Sequence, residues 1–325
     1  VSLDVKGRGI PALIGYAVLT AVFGIVIATV PVINLMVYLV WGVPVILLIR
    51  QQGLKQGLIA LAIAALLVTA GLRSPTEGLF FVLQLAPVAI IPGLLLKNHV
   101  STNRSLLIII GSATITEGIF LLASWLTGSL DFGELRRYLL AGVDSYMEML
   151  KQSKSFEVQQ AQGYSEGMIR QRLIETMELS VQLLPGTMII GAITGMVVNY
   201  LLAGRLLVKI NPYQTPTLPI SQWQLPWYVI WLMITGLALY LLGDSNSIWA
   251  TIGKNLIFVD AFISFVLGLA VVAYYYPRLP FSGFFKALLI ILLLINPITP
   301  VVLLALGVFD PALNFRRLGV AKDAE

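Results

Sequence analysis

The chain contains no cysteine. Disulfides, thiolate metal sites and thiol nucleophiles are therefore excluded together. Its one histidine, His99, sits in KNHVSTNR between two apolar stretches, where it is an interfacial residue and not part of a ligand set. Walker A, G-x-G-x-x-G, H-E-x-x-H and G-x-S-x-G are all absent. The sequence thus predicts no catalytic residue, no cofactor, no metal site and no enzyme. Charge is scarce as well, at 11% of 325 residues, against roughly a quarter in soluble domains. No basic cluster is dense enough for nucleic acid.

What remains is apolar. Hydrophobic residues make up 58% of the chain and the mean hydropathy is +0.89, which excludes a soluble core. Lys6 and Arg8 precede an apolar run longer than a signal peptide's and without an A-x-A site, so it reads as a retained first span. Nine apolar stretches follow one another, at 10–30, 32–49, 55–72, 78–96, 105–128, 179–209, 226–243, 252–275 and 284–308. Each approaches the roughly 20 residues that a bilayer requires. The expected fold is an all-α polytopic transmembrane helical bundle of nine spans, or eight if one is miscounted. Pro87 and Pro92 should kink the fourth stretch, and Pro297 and Pro300 the ninth.

An N-terminus placed inside gathers Arg50, Lys55, Lys97, Arg104, Arg205, Lys209, Arg278 and Lys286 on the cytoplasmic side with Lys6 and Arg8. Only Arg73 and Lys254 then fall in short outer loops. The tail, with Arg316, Arg317 and Lys322, falls outside, against the rule: either it breaks the rule or one span is miscounted. The location this predicts is multi-pass, in a bacterial plasma membrane.

The sixth stretch, LLPGTMIIGAITGMVVNYLLAGRLLVK, carries Gly191 and Gly195 as G-x-x-x-G, and Asn199 and Ala203 extend the stripe. Small residues let helices meet closely where lipid gives no hydrophobic drive. Ala17, Ala21, Gly24 and Ala28 form a similar face on the first stretch, suited to packing within the bundle or to docking a partner. Trp223, Trp227 and Trp231, and Tyr274 to Tyr276, match an interfacial aromatic belt. Residues 130–178 are different. Leu135, Leu139, Val143, Met147 and Leu150 recur at helical spacing, Asp131 and Glu134 make a capping box, and a polar patch precedes a second helix from about 165. This is an external amphipathic hairpin, either a solvated connector or a lid or docking surface.

Two acids lie at membrane depth. Glu117 is about 18 Å in from the cytoplasmic end of its stretch, and Asp260 about 12 Å in from the outer end, at about 1.5 Å per residue. A charge there costs about 2.5–3.5 kcal/mol on insertion scales, so both should face the bundle interior. Thr114 shares a face with Glu117, Ser264 shares one with Asp260, and Gln84 lies at comparable depth in the fourth stretch. Glu117, Gln84, Asp260 and Thr114 are the candidate ligand-binding residues. Lys254 or Asn255 could instead satisfy Asp260.

The runs VPVINLMVYLVWGVPVILLIRQQGLKQGLIALAIAALL, LQLAPVAIIPGLLLKN and LLPGTMIIGAITGMVVNYLLAGRLL resemble the S components of energy-coupling-factor transporters. With GKNLIFVDAFISFVLGLAVVAYY and LGVFDPALNFRR, the whole chain resembles the YybS-like family of uncharacterised bacterial membrane proteins. The resemblance implies a six-helix core over 1–209, including the hairpin, and a three-helix extension over 210–325. It also implies a solute pocket open to the outside, and a first-helix face at Ala17 to Ala21 that meets a membrane coupling subunit. The partners expected are the lipid bilayer, a small-molecule solute, and a coupling subunit or envelope protein. The alternative function is a non-transporting membrane scaffold or interaction subunit in cell-envelope processes.

Overall fold

The computed structural model describes residues 9–128, 131–211, 216–244 and 247–318. Lys6, Arg8 and Lys322 lie outside the described residues. Every regular element among the described residues is helical. In chain order the first are α1 (Gly9–Thr29), α2 (Asn34–Trp41), α3 (Val43–Gln52), α4 (Leu54–Leu72), α5 (Pro75–Phe80), a π turn (Phe81–Leu85), α6 (Ala86–Lys97) and α7 (Thr102–Leu126). Next come α8 (Phe132–Ala141), α9 (Val143–Lys151), α10 (Lys154–Ala161), α11 (Glu166–Gln182) and α12 (Leu184–Ile210). The chain closes with α13 (Ile230–Leu242), α14 (Ile248–Tyr275), α15 (Gly283–Ile295) and α16 (Thr299–Leu313).

Six helical stretches are long and apolar enough to cross a membrane: α1, α2 with α3, α4, α7, α12 and α14. The other three expected stretches are not single long helices. The fourth stretch contains a π turn where Pro87 lacks the N–H that would bond Leu83, and the wider turn absorbs the mismatch. The seventh is a short apolar helix, Trp227–Leu242 with its opening 3₁₀ turn. The ninth is two helices bent by 98°. At that break Asn296 Oδ1 accepts the Ile298 N–H, and Pro300 stands in the first turn of α16.

The chain forms two compact units: Val1–Phe120, Ile189–Trp231 and Val259–Glu325 make one, Leu121–Met188 and Leu232–Phe258 the other. Both draw on residues before and after 209.

In the first unit, the small face of α1 is occupied from within. Ala17 and Ala21 are buried, Ala17 packs with Leu48 and Ala60, and the Phe81 ring fills the space where Gly24 would carry a Cβ. Ile10, Ile14, Val18 and Val22 point outward on the opposite side, as a lipid-facing surface requires. The closest helix crossing is elsewhere. A Cβ on Gly268 would lie 1.9 Å from the Leu303 carbonyl oxygen, and one on Gly307 would lie 1.6 Å from that of Ser264. The backbones of α14 and α16 therefore touch directly.

Both ends of the bent pair are tied to the end of α14. Lys286, in the first turn of α15, donates to the Pro277 carbonyl at 3.0 Å. The Tyr275 hydroxyl donates to the Phe315 carbonyl at 2.6 Å, just beyond α16. Both ends of the pair thus lie beside the end of α14. The same end holds a buried ion pair. Arg316 Nη2 meets Asp310 Oδ2 at 2.6 Å, and both side chains are at most 1% exposed. Its remaining donors reach the carbonyls of Ser221 and Trp223 at 2.9 and 2.6 Å. That segment is fastened in turn to the start of α7, where Thr102 Oγ1 accepts from Leu218 N and Asn103 Oδ1 from Gln224 N. Trp223 is accordingly buried, with its indole on the Leu218 carbonyl, and does not join the aromatic belt; Trp227 and Trp231 stay exposed.

In the second unit, the expected hairpin of two helices is four. The polar patch itself winds into α10, because Phe156 turns inward to join Val143, Met147 and Ile169 in a small core. Asp131 caps α8 by accepting from the Gly133 and Glu134 N–H groups. Ion pairs Arg136–Glu178, Arg170–Asp144 and Lys151–Glu166 join the helices. Asn255 does not serve Asp260: it accepts from Gly186 N and donates to the carbonyls of Gln182 and Thr251. Lys254 bonds Gln182 Oε1 at 2.8 Å and lies over the Tyr240 ring.

Candidate functional site

The site begins with a break in a helix. Pro44 has no N–H to offer the Val40 carbonyl, so α2 and α3 cannot join regularly. In hydrocarbon the freed backbone groups must find partners in protein. The Val40 carbonyl takes the Gly42 N–H, and Asn199 of α12 bonds backbone groups beside the break. Its Nδ2 donates to the Tyr38 carbonyl at 3.2 Å, and its Oδ1 accepts from the Gly42 N–H at 2.8 Å. One amide thus replaces a single i to i+4 bond of the helix. It also donates to the Gly195 carbonyl at 2.8 Å, which holds it in place on its own helix.

This splice fixes Tyr38 against α12. The tyrosine ring lies 2.5 Å from where a Gly195 Cβ would be, and its hydroxyl points to the Gly191 carbonyl at 3.5 Å. Gly195 therefore admits an aromatic ring rather than a helix backbone. Gly191 is different again. It is exposed, with no heavy atom within 4 Å of its would-be Cβ, so open space lies beside the Tyr38 hydroxyl.

Glu117 belongs to α7. It stands about 22 Å along α7 from Thr102, at about 1.5 Å per residue. Because α7 starts a turn early, this is deeper than the sequence indicates. Only 6% of the residue is exposed, and Oε2 has no hydrogen-bond partner among the described residues. No ion pair among the described residues includes it. A buried carboxyl oxygen without a partner costs about 1–3 kcal/mol or more.

The other candidates do not converge on Glu117. Asp260 is 2% exposed and accepts from Ser264 Oγ at 3.4 Å. Thr114 turns its hydroxyl to the Ile110 carbonyl of its own helix, and Gln84 is half-buried in the π turn. No hydrogen bond among the described residues links any of these three to Glu117. Among the described residues of the first unit, three of the cavities are not lined by Glu117. One of about 150 Å³ is walled by Ile110, Ile193, Phe262 and other apolar side chains, which suits an acyl chain. A second, of about 220 Å³, includes Arg50, His99, Thr102 and Tyr200. The third, of about 750 Å³, lies along Arg205, Lys209 and Pro216–Ile220.

Three residues of consequence escaped the sequence reading: Tyr38, Asp310 and Arg316. Asp310 could have been noticed as an acid closing an apolar run with an arginine six residues on. Tyr38 carried no signal, since an aromatic near a span end ordinarily reads as part of the belt.

A family profile described as "Predicted membrane protein (DUF2232)" matches residues 18–311. No curated protein and no solved structure matches the chain. Neither the S-component nor the YybS-like resemblance is supported by these comparisons.

Proposed function

The chain belongs to the DUF2232 family of predicted membrane proteins, and from that premise we propose that it binds a small solute inside the bundle of its first unit. The binding serves uptake or sensing, with no catalysis and no cofactor. The observation that carries this reading is the buried Glu117 carboxyl with its unpartnered oxygen. Natural proteins rarely leave such a group idle, and ionisable residues at membrane depth mark ligand or ion paths. A thermal-shift screen of wild type and Glu117→Gln in detergent, against vitamins, nucleosides and cations, tests it. At least one solute should stabilise wild type by several degrees and Glu117→Gln by much less. A solute that stabilises both equally would remove Glu117 from the site.

The proposed orientation has both termini in the cytoplasm. Eight crossings, with α5 to α6 and the α13 segment among them, plus one re-entrant pair return the tail to the side it started from. Arg316 then sits with Arg50, Lys97 and Arg104, as positive-inside predicts. On this reading the ninth stretch turns back and does not cross. Cysteines introduced at Val158, which is 55% exposed, and at Arg317 read this directly in a chain that has none. Val158→Cys should react with an impermeant maleimide from outside the cell and Arg317→Cys only after lysis. Labelling of Arg317→Cys in intact cells would refute the re-entrant assignment.

The scaffold reading has its own support in Tyr138, Met149 and Met168, which are exposed on the helices of residues 132–182. Such apolar side chains beside surface ion pairs suit a protein contact.

A further inference from the structure

We infer that the first unit binds an anionic phospholipid, with the headgroup phosphate against Arg205 and Lys209 and one acyl chain in the apolar cavity between α7, α12 and α14. This site is separate from Glu117 and does not depend on the solute reading.

The two parts of the site share a wall. The cavity of about 750 Å³ is lined by Arg205, Lys209 and residues 216–220, and also by Trp223. Trp223 lines the apolar cavity of about 150 Å³ as well. It is buried, and its indole N–H donates to the Leu218 carbonyl at 3.1 Å, so this common wall is held in place. The apolar cavity follows helical spacing. Leu106 and Ile110 line it from α7, Ile193 and Val197 from α12, and Phe262 and Val266 from α14, each pair four residues apart. Thr194 in that wall turns its hydroxyl to the Ile190 carbonyl of its own helix and keeps the lining apolar.

Length and charge both fit a lipid. Ile193 and Arg205 are about 18 Å apart along α12, at about 1.5 Å per residue. The hydrocarbon of one leaflet is about 15 Å deep, half that of the bilayer. An acyl chain that ends beside Ile193 therefore brings its headgroup to the level of Arg205 and Lys209. These two cations stand four residues apart on one helix and repel each other. No Asp or Glu occurs in residues 189–231. Among the described residues, neither cation is in an ion pair. The cavity thus presents positive charge without its complement, and a phosphate supplies it. Basic pockets between spans recognise anionic headgroups in this way.

The test uses the whole protein in a neutral maltoside detergent and follows the thermal midpoint. Dioleoylphosphatidylglycerol, dioleoylphosphatidylcholine and glycerol phosphate are each titrated in. Phosphatidylglycerol should raise the midpoint saturably, and the other two should not. Arg205→Gln with Lys209→Gln should need about tenfold more phosphatidylglycerol, or above, as the loss of two cations at an anionic headgroup implies. Lys55→Gln with Lys97→Gln removes the same charge from exposed residues that line neither cavity, and should respond as wild type does. Val197→Trp fills the apolar cavity and should lose the response with both cations intact; if it does not fold, the two charge pairs decide. Equal stabilisation by phosphatidylcholine, no lipid response at all, or equal losses in the two charge pairs overturns the inference. So does a Val197→Trp protein that responds as wild type does. A saturable rise with glycerol phosphate alone assigns the cations to a free anion and overturns the lipid. None of these variants changes Glu117, so failure here leaves the solute reading standing.

Discussion

Asp310→Ala should lower stability by about 3–5 kcal/mol, the usual cost of stranding one member of a buried ion pair. Arg316 would remain inside with its side chain 0% exposed, bonded only to the carbonyls of Ser221 and Trp223. The loss extends beyond electrostatics. The same guanidinium clamps the segment at 216–225 to the end of α16, and that segment is fastened to the start of α7. Asp310→Ala should therefore show a large fall in thermal midpoint together with faster proteolysis near Pro219. Replacing both members, as Asp310→Leu with Arg316→Met, should recover much of the midpoint, because neither buried charge is then left alone. A single variant within about 0.5 kcal/mol of wild type, the range of ordinary surface substitutions, would show that the pair is not buried in the membrane-embedded protein.

Gly307→Ala is expected to be nearly as severe, at about 3 kcal/mol or more, the upper end of overpacking costs. Its new methyl would sit 1.6 Å from a backbone oxygen, and backbone cannot rotate away. The helices α14 and α16 would have to part, which also disturbs Ser264 beside Asp260. Two glycines of α12 provide the scale. Gly195→Ala meets the Tyr38 ring at 2.5 Å, a side chain that can swing aside, so its cost should be smaller. Gly191→Ala meets nothing within 4 Å and should be neutral or slightly stabilising, since alanine favours the helix. Thermal midpoints of the three variants in one detergent decide the order. A Gly307→Ala protein more stable than Gly195→Ala would mean that α16 does not pack on α14.

These three glycines also show where pattern reading reaches its limit. In the sequence, Gly191 and Gly195 form the recognisable motif, whereas Gly268 and Gly307 lie on separate stretches with no shared signature. A spacing of four residues places side chains on one face of a helix, but it does not say what faces them. That face meets a tyrosine ring at Gly195 and empty space at Gly191, and the tight crossing forms elsewhere. Ala17 and Ala21 illustrate the same point, for their face is filled by α3 and α4 and has no room for a coupling subunit.

The charge and hydropathy of the chain determined by themselves that it is helical and embedded in a membrane. Long apolar runs with few charges can satisfy their backbone only as helices in lipid. They also determined that Glu117 and Asp260 would be turned inward, because the cost of a lipid-facing charge does not depend on which helix is next to it. The prolines mark breaks at residues 44, 87 and 297 for an equally local reason, a missing N–H, although only the last two were expected. Only the tertiary structure decided what each break becomes. The first is spliced by Asn199 from a helix more than 150 positions away, the second relaxes into a π turn, and the third turns the chain back by 98°. It also decided that Arg316 is a buried partner and not a free tail charge, and that the Tyr38 ring fills the space beside Gly195. Such pairings depend on distances between helices, and those are set by how side chains of many spans fill space together, which no single stretch contains.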